Sequence, residues 1–469
     1  MARFELSPCC IHLVCTSLNK IFAYSLINAQ ERKCFECVEN KASLPASSKK
    51  HSRNGQQDTE NKCESTRDDD PSKKEETEAA DRTKVGAEKL NEAKSKEDSG
   101  GNESENDGHS CSGNVLAHSF SPSSRYYAVC DDFKQLSIFD TTNWSKLSVR
   151  SVRKRSTSLA FNHAEDCVYV GDKSGDVYRF SVKNEEDEGT LVLGHVSMLL
   201  DLAISPDDKY IVTADRDEKI RVSHLPNCYN IHCFCLGHTD LVSKIAILPK
   251  DQDILVSGSG DASLRFWKYT TGQELCRLSL KQMEDSARPT VLCIRCSKKS
   301  NYVAVLLEKF MGVQIYEYDR VDEVLDARLV ASIETGVEPW DIAFDEEDHL
   351  WVFKPKQDEL ISVYEFYLQD KILKLKLTNL NEGNQILNVI GQVNTDWQIF
   401  KESLKVESLY TNLHKKSQDN SKDWQRRKER KIKGKLQEMS EQTEGSACKK
   451  IKVDEVLSKT TEREEDVQS

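Results

Sequence analysis

The chain has 469 residues, a formal net charge of −12 and 31% charged residues, and its mean hydropathy is −0.62. It contains no run of 18 apolar residues, so a transmembrane helix is not expected. The apolar character of the N-terminal stretch is broken by His12, Thr16, Asn19 and Lys20, which argues against a secretory signal peptide. We therefore expect the sixteen cysteines to be reduced thiols in the cytosol or nucleus.

In chain order, segments that can form a core alternate with segments that cannot. Residues 1–40 contain strand-like sequence, whereas residues 41–110 contain no Phe, Trp or Tyr but 17 acidic and 13 basic side chains. Such a segment buries too little apolar surface to offset its ordering entropy, so we predict a disordered insert. Residues 111–411 resume the apolar patterning, and residues 412–469 are predicted to be a disordered basic tail.

Two segments of the chain align with each other and indicate an internal repeat. Each begins with a Gly-His pair, and the two pairs, Gly194-His195 and Gly237-His238, are 43 residues apart. This period is typical of a WD40 repeat, which contributes four strands to each blade of a propeller. Fainter copies bring the number of units between residues 115 and 368 to six. These copies cover residues 117–139, 158–180, 290–318 and 340–366.

The two ends of the core sequence are expected to form one further blade. Residues 8–38 and 385–411 would combine their strands in a composite blade, which closes the ring and removes exposed sheet edges. The insert at 41–110 would then lie inside this ring-closing blade, between the strands of 1–40 and the rest of the propeller. We therefore predict an all-β, WD40-type β-propeller with seven blades, although six or eight blades also fit the pattern.

In the second clear repeat, four polar side chains are spaced for a buried hydrogen-bond network. They are His238, Ser257, Asp261 and Trp267. The carboxylate accepts from the imidazole, the hydroxyl bridges, and the indole N–H donates. Because a satisfied buried network fixes strand geometry, we interpret His238 as structural and not catalytic.

The first clear repeat has an incomplete version of the same network. It keeps His195, Thr213 and Asp217 but has Ser223 where the second repeat has its tryptophan. We therefore predict that the strand geometry of this blade is less tightly specified.

Two C-x-x-C pairs raise the possibility of zinc binding. Cys34 and Cys37, and likewise Cys293 and Cys296, lie in strand-like sequence. Residues three apart on a strand point to opposite faces, so neither pair can easily chelate one ion. We expect buried free thiols and no metal site.

The sequence contains no recognised catalytic signature. A Walker A loop, a G-x-S-x-G elbow, an H-E-x-x-H motif and a G-x-G-x-x-G motif are all missing. A propeller of this kind is expected to be a rigid platform for partners and not an enzyme.

The first charge cluster follows a predicted strand of the first repeat, at residues 215–221. Lys219 and Arg221 should share one face of the next strand, and Arg221 is spaced to pair with Asp217. Two interpretations are open: a solvated turn, or an ion-paired docking site in which complementary charge sets specificity.

The second charge cluster lies in a connection between two blades, on the face to which the first cluster should also belong. Its basic residues are Arg150, Arg153, Lys154 and Arg155. It is either a solvated loop or a contact for RNA phosphates.

The tail contains a third cluster, in which residues 424–435 end with seven basic residues among ten and residues 449–452 add more. Such runs are typical of nuclear import signals or nucleic-acid arms, although a merely solubilising tail is the alternative. We predict localisation in the nucleus.

The residues around the first repeat carry a family resemblance. Residues 171–178, 193–201, 205–208 and 213–223 closely resemble the non-catalytic WD-repeat subunit of the eukaryotic tRNA (guanine-N7)-methyltransferase. The similarity is strong over about 115–270, weaker to about 411, and extends to the basic tail. It does not cover the insert.

The resemblance implies a heterodimer with a Rossmann-like methyltransferase that binds S-adenosylmethionine and methylates N7 of a guanine in the tRNA variable loop. The present chain would bind no cofactor; it would hold the catalytic subunit in an active conformation and help to present tRNA. Arg221 would either contact the partner or hold the turn through Asp217. The residues onto which the family's charged partner contact maps are Asp217, Glu218, Lys219 and Arg221, together with Asp172 and Lys173.

A nuclear propeller with acidic and basic arms also fits another class of protein. The alternative function is that of a substrate-recruiting adaptor of a ubiquitin ligase, or of a scaffold in a chromatin-associated complex.

Overall fold

A computed structural model describes residues 2–28, 31–38, 113–280, 289–369, 372–378, 385–405 and 409–414. These residues form seven four-stranded antiparallel sheets, so the predicted seven-bladed propeller is confirmed. The predicted disordered insert lies outside the described residues, as does the tail beyond residue 414.

Each blade takes its four strands from one continuous stretch of chain. Blade 1 contains β1 (Arg3–Leu6), β2 (His12–Ser17), β3 (Lys20–Ser25) and β4 (Arg32–Glu36). Blade 2 contains β5 (Val115–Phe120), β6 (Tyr126–Asp131), β7 (Gln135–Asp140) and β8 (Ser145–Ser151). Blade 3 contains β9 (Ser156–Phe161), β10 (Cys167–Asp172), β11 (Asp176–Ser181) and β12 (Thr190–Gly194). Blade 4 contains β13 (Leu199–Ile204), β14 (Tyr210–Asp215), β15 (Ile220–His224) and β16 (Ile231–Cys235).

The remaining three blades repeat this arrangement. Blade 5 contains β17 (Val242–Ile247), β18 (Ile254–Ser259), β19 (Ser263–Lys268) and β20 (Gln273–Ser279). Blade 6 contains β21 (Val291–Cys296), β22 (Tyr302–Leu307), β23 (Gly312–Val321) and β24 (Val324–Glu334). Blade 7 contains β25 (Asp341–Phe344), β26 (Leu350–Phe353), β27 (Ile361–Gln369) and β28 (Ile372–Leu377).

The core of the protein lies between neighbouring blades. Val256 and Phe266 of blade 5, for example, pack in one cluster with Val291 and Val305 of blade 6. The second strand of a blade is covered on both of its faces, and every residue of β18 is buried. The first strands of adjacent blades contact each other around the central axis, while the fourth strands form the outer edge.

The predicted composite blade is wrong, because residues 3–36 supply all four strands of blade 1. The insert therefore lies between blades 1 and 2, not within a blade. Residues 385–405 form helix α1 (Gln385–Thr395), helix α2 (Trp397–Lys401) and a 3-10 turn (Glu402–Lys405), and a second 3-10 turn spans Leu409–Asn412. Apolar residues at 386, 389, 390 and 393 follow the helical period, which the ring-closure expectation overlooked.

Helices α1 and α2 join the last blade to the first, and we call them the clasp. Val389, Val393 and Phe400 are buried in a cluster with residues of blades 7 and 1. The clasp therefore closes the ring by packing, where strand exchange had been expected.

No helix in the described part of the chain is long and apolar enough to cross a membrane.

A carboxylate at the start of α2 fixes the clasp to blade 1. Asp396 accepts a hydrogen bond of 2.6 Å from the Tyr24 hydroxyl and two bonds of 2.7 and 2.8 Å from the Arg32 guanidinium. The side chain of Asp396 is largely buried, so it depends on these partners for its polar contacts.

The chain then continues over the upper face, which we define as the face carrying the turns between second and third strands and the connections between blades. Tyr410 packs with Leu200 and Leu241 near the inner strands of blades 4 and 5. His414 lies 3.0 Å from the Asp240 carboxylate through Nδ1 and 2.9 Å from the Thr290 hydroxyl through Nε2.

Replacing Asp396 with alanine should lower the free energy of unfolding by about 1–3 kcal/mol, because Tyr24 and Arg32 lose their shared acceptor. Chemical denaturation measures the effect. Glu347→Ala is the control, since Glu347 forms an exposed ion pair with Lys299 and should change stability by less than about 0.5 kcal/mol. Equal effects of the two substitutions would contradict the role of the clasp.

Candidate partner-binding surface

Blade 5 contains the hydrogen-bond network that its sequence suggests. His238 lies 2.9 Å from Asp261 through Nδ1 and 2.8 Å from the Ser257 hydroxyl through Nε2. The Trp267 indole donates a bond of 2.8 Å to the same hydroxyl. Both ring nitrogens of His238 are thus engaged within the blade.

The ionisation states in this network suit a structural role. Burial opposes ionisation of Asp261, but hydrogen bonds from His238, Ser263 and the Thr239 backbone outweigh it and hold the pKa of the carboxyl well below its usual range. Burial lowers the pKa of His238. The network therefore stabilises the blade and leaves no side chain available for chemistry.

In blade 4 the structure corrects the assignment of the carboxylate. His195 lies 3.0 Å from Asp215 through Nδ1 and 2.8 Å from the Thr213 hydroxyl through Nε2, whereas Asp217 takes no part. The strand register pairs Thr213 with Arg221, so Asp215 occupies the last position of β14 and faces the imidazole. Because Asp215 fills this role, Asp217 is left on the surface with its side chain 40% exposed.

Arg221 also differs from its prediction. Its side chain is buried and donates hydrogen bonds to the Ser223 hydroxyl at 2.9 Å and to the carbonyl oxygens of Gly194 and Cys228 at 3.0 Å each. It does not form the expected pair with Asp217; Arg216 lies nearest to that carboxylate, at 3.9 Å. Arg221 therefore holds blade 4 together and presents no charge to a partner.

The charged residues that do reach the surface form what we call the docking turn, residues 216–219. Arg216 and Lys219 are exposed, and Asp217 and Glu218 are half-buried. The buried Asp215 carboxylate accepts hydrogen bonds of 2.9 and 3.0 Å from the backbone N–H groups of Asp217 and Lys219. The turn is thus a rigid group of mixed charges, and Arg216 is a member that the sequence reasoning missed.

In blade 3 the structure separates the two predicted contact residues. Asp172 is buried and accepts hydrogen bonds from the backbone of Ser174 and Asp176, so its carboxylate is not available to a partner. Blade 3 has no histidine to pair with this carboxylate: Val152 stands four residues before β9, at the position where blades 4 and 5 have histidines. Burial raises the pKa of Asp172. Lys173, in contrast, is half-buried at the surface of the turn.

Only part of the predicted basic cluster in the connection before blade 3 reaches the surface. Arg150 is buried and donates to the carbonyl oxygens of Ser181 at 2.6 Å and Asn184 at 3.2 Å, so it cannot contact RNA. Arg153 and Lys154 are exposed, and Arg155 is half-buried. The backbone N–H of Lys173 donates to the Arg155 carbonyl at 3.0 Å, which places this cluster and the blade 3 turn on one surface.

The cysteine pairs lie on or beside strands, as expected. Cys293 is buried within β21 and Cys296 ends the same strand; burial raises the pKa of both thiols to about 12. Cys34 departs from the expectation, because it is exposed on the outermost strand of blade 1. Among the residues that the structure describes, no group of three or more His, Cys, Asp or Glu side chains could hold a metal ion.

The geometry defines the class of protein: a WD-repeat propeller whose polar networks are structural and whose exposed charges form a surface. Solved structures agree on the fold. A structure of U3-55K superposes with a TM-score of 0.51 at 15% identity, covering 76% of this chain and 88% of that one. A chain of the mitotic checkpoint complex gives a TM-score of 0.51 at 12% identity, with 75% and 86% covered.

Sequence comparisons define the family. The family model described as the tRNA methyltransferase TRM82 WD40 domain matches residues 13–190 and 181–354. The non-catalytic subunit wdr4 of tRNA (guanine-N(7)-)-methyltransferase from Danio rerio is 39% identical over 327 residues, covering 68% of this chain and 78% of the relative. The Homo sapiens WDR4 subunit is 39% identical over 315 residues, covering 66% and 74%. The chain belongs to this family of WD40 subunits.

Unfolding measurements can test whether Asp215, and not Asp217, is the carboxylate that contacts His195 and the turn backbone. Asp215→Ala should lower the free energy of unfolding by about 1–3 kcal/mol, because His195 and the backbone N–H groups of the turn lose their acceptor. Asp217→Ala should change it by less than about 0.5 kcal/mol, as is usual for a surface position. Thermal and urea unfolding of both variants would decide; a larger loss for Asp217→Ala would restore the original assignment.

Proposed function

We propose that this chain is the non-catalytic scaffold subunit of a heterodimeric tRNA (guanine-N7)-methyltransferase. The observation that carries the proposal is the match of residues 13–354 to the TRM82 WD40 family, whose relatives bear the name of that non-catalytic subunit. The alternative function, an adaptor of a ubiquitin ligase or of a chromatin complex, finds no support in these names.

The docking turn is the proposed contact for the catalytic subunit. It presents two cations, Arg216 and Lys219, and two anions, Asp217 and Glu218, within four residues. Such a pattern favours a partner with complementary charges and disfavours others, because like charges facing each other are costly. Since Asp215 fixes the backbone of the turn, little conformational entropy is lost when it docks.

The division of labour follows from this arrangement. S-adenosylmethionine belongs on the catalytic subunit in this proposal, and the present chain binds no cofactor. Its own contribution is to hold the partner in one orientation through a rigid surface. We also propose a nuclear location, from the basic segments 424–435 and 449–452, which lie outside the described residues.

A contact with tRNA is the second part of the proposal. Arg153 and Lys154 are exposed beside the turn that holds Lys173, on the same face as the docking turn. Basic side chains at this position would bind phosphates of a tRNA held by the partner, and they would supply position more than sequence preference.

Cells lacking this chain should lose 7-methylguanosine from tRNA. The wild-type chain should restore the modified nucleoside, whereas the double variant Arg216→Glu, Lys219→Glu should not, because its docking turn no longer complements the partner. Mass spectrometry of tRNA nucleosides measures the outcome. Normal 7-methylguanosine in the cells without the chain would refute the function; full rescue by the double variant would refute only the docking turn.

The phosphate contacts should appear in the salt dependence of tRNA binding. Arg153→Glu combined with Lys154→Glu should weaken tRNA binding by the heterodimer and reduce the slope of log K against log salt by up to about two, without loss of the partner. Lys299→Glu is the control, because Lys299 is exposed on the opposite face. An unchanged slope would show that these residues do not touch the nucleic acid.

A further inference from the structure

Two histidines of blade 4 contact each other at the lower face of the propeller, which is the face opposite the upper face. His224 ends β15 and His232 is the second residue of β16, so the connection 225–230 brings them together. His224 Nε2 lies 3.3 Å from His232 Nδ1, and the ring centroids are 4.9 Å apart. Because His232 is exposed and His224 is half-buried, the pair is open to solvent.

A hydrogen bond to blade 5 fixes the tautomer of His232. Its Nε2 lies 2.8 Å from the carbonyl oxygen of Thr270, in the turn between β19 and β20. Since a carbonyl oxygen only accepts, Nε2 carries the proton, and Nδ1 of the neutral ring keeps a lone pair. Histidines that bind metals commonly donate their second ring N–H in this way, which sets the tautomer and the orientation of the ring.

An aromatic side chain supports both imidazoles. The ring centroid of Tyr210 lies 5.3 Å from that of His224 and 4.9 Å from that of His232. Tyr210 packs edge-on against Tyr269 of blade 5, which is buried. The two rings are thus held together before any ligand binds, so little conformational entropy is lost on binding.

The fold does not require histidine at either position. His224 and Lys268 of blade 5 both end the third strand, opposite the first residue of the second strand. His232 is the extra residue of a β-bulge, and Leu275 is the extra residue of the same bulge in blade 5. Blade 5 therefore forms the same local structure with a lysine and a leucine.

The separation of the two nitrogens suits a shared metal ion. Zinc holds imidazole nitrogens at about 2.0–2.1 Å in tetrahedral geometry, so two such nitrogens lie about 3.3 Å apart. The contact between His224 Nε2 and His232 Nδ1 has this length. Imidazole ligands suit Zn²⁺ and Ni²⁺, whereas Mg²⁺ and Ca²⁺ prefer oxygen ligands.

We propose that His224 and His232 bind a divalent transition-metal ion of the class of Zn²⁺ or Ni²⁺ at the junction of blades 4 and 5. The ion replaces the proton between the two rings, and the neutral His224 ring then carries its proton on Nδ1. Two protein ligands leave coordination positions for water. The site lies on the face opposite the docking turn, so the proposal does not depend on the proposed function.

Calorimetric titration of the full chain with Ni²⁺, and separately with Zn²⁺, tests this site. The double variant His224→Lys, His232→Leu gives blade 4 the residues of blade 5. It should melt at an unchanged temperature and lose one bound ion per chain, or bind that ion at least tenfold more weakly. All variants keep the same cysteines, so ions held by thiols do not affect the comparison.

The matched control is His163→Asn, which removes an exposed histidine from the turn between β9 and β10 and should bind like the wild-type chain. Equal binding by the wild-type chain and the double variant would overturn the proposal, as would an equal loss in the control. Should the double variant melt at a lower temperature, His224→Asn decides, because it leaves the bond between His232 and Thr270 in place. That single change must weaken binding at least tenfold, and unchanged affinity would overturn the proposal.

Discussion

Closure of the ring is the constraint on which the rest of this structure depends. Each blade buries its apolar faces only against its two neighbours, so an open ring would leave the faces of blades 1 and 7 in water. The clasp closes this gap with apolar residues from two helices and with the Asp396 carboxylate between Tyr24 and Arg32. Because blade 1 is complete by residue 36 and blade 2 begins at residue 115, the insert falls in the sequence between two complete blades.

The upper face shows how a residue difference between two blades leaves a charged turn at the surface. In blade 5 the turn carboxylate, Asp261, forms a buried hydrogen bond with His238. In blade 4 the last residue of the strand, Asp215, takes over this contact and also fixes the turn backbone. The turn that follows is consequently rigid, yet its own charged side chains remain at the surface. A fixed backbone and surface charge are thereby combined in one turn.

In the proposed function, the charged side chains of the docking turn give specificity more than affinity. Charges in partly exposed positions set orientation and exclude wrong partners, but much of their attraction is offset by desolvation. In the proposed function, the exposed Arg153 and Lys154 contact the nucleic acid from the same face.

The sequence by itself determined the propeller, its period and the network around His238, because these depend on local spacing that every WD repeat must keep. It also located the charged segment of blade 4 and the family. Only the tertiary structure decided which charged side chains reach the surface: Arg221, Arg150 and Asp172 are buried, while Arg216 is exposed. Sequence spacing could not separate these residues, since burial depends on strand register and on the neighbouring blade. Ring closure was decided at the same level, because the helical period of residues 385–395 shows a helix but not what it packs against.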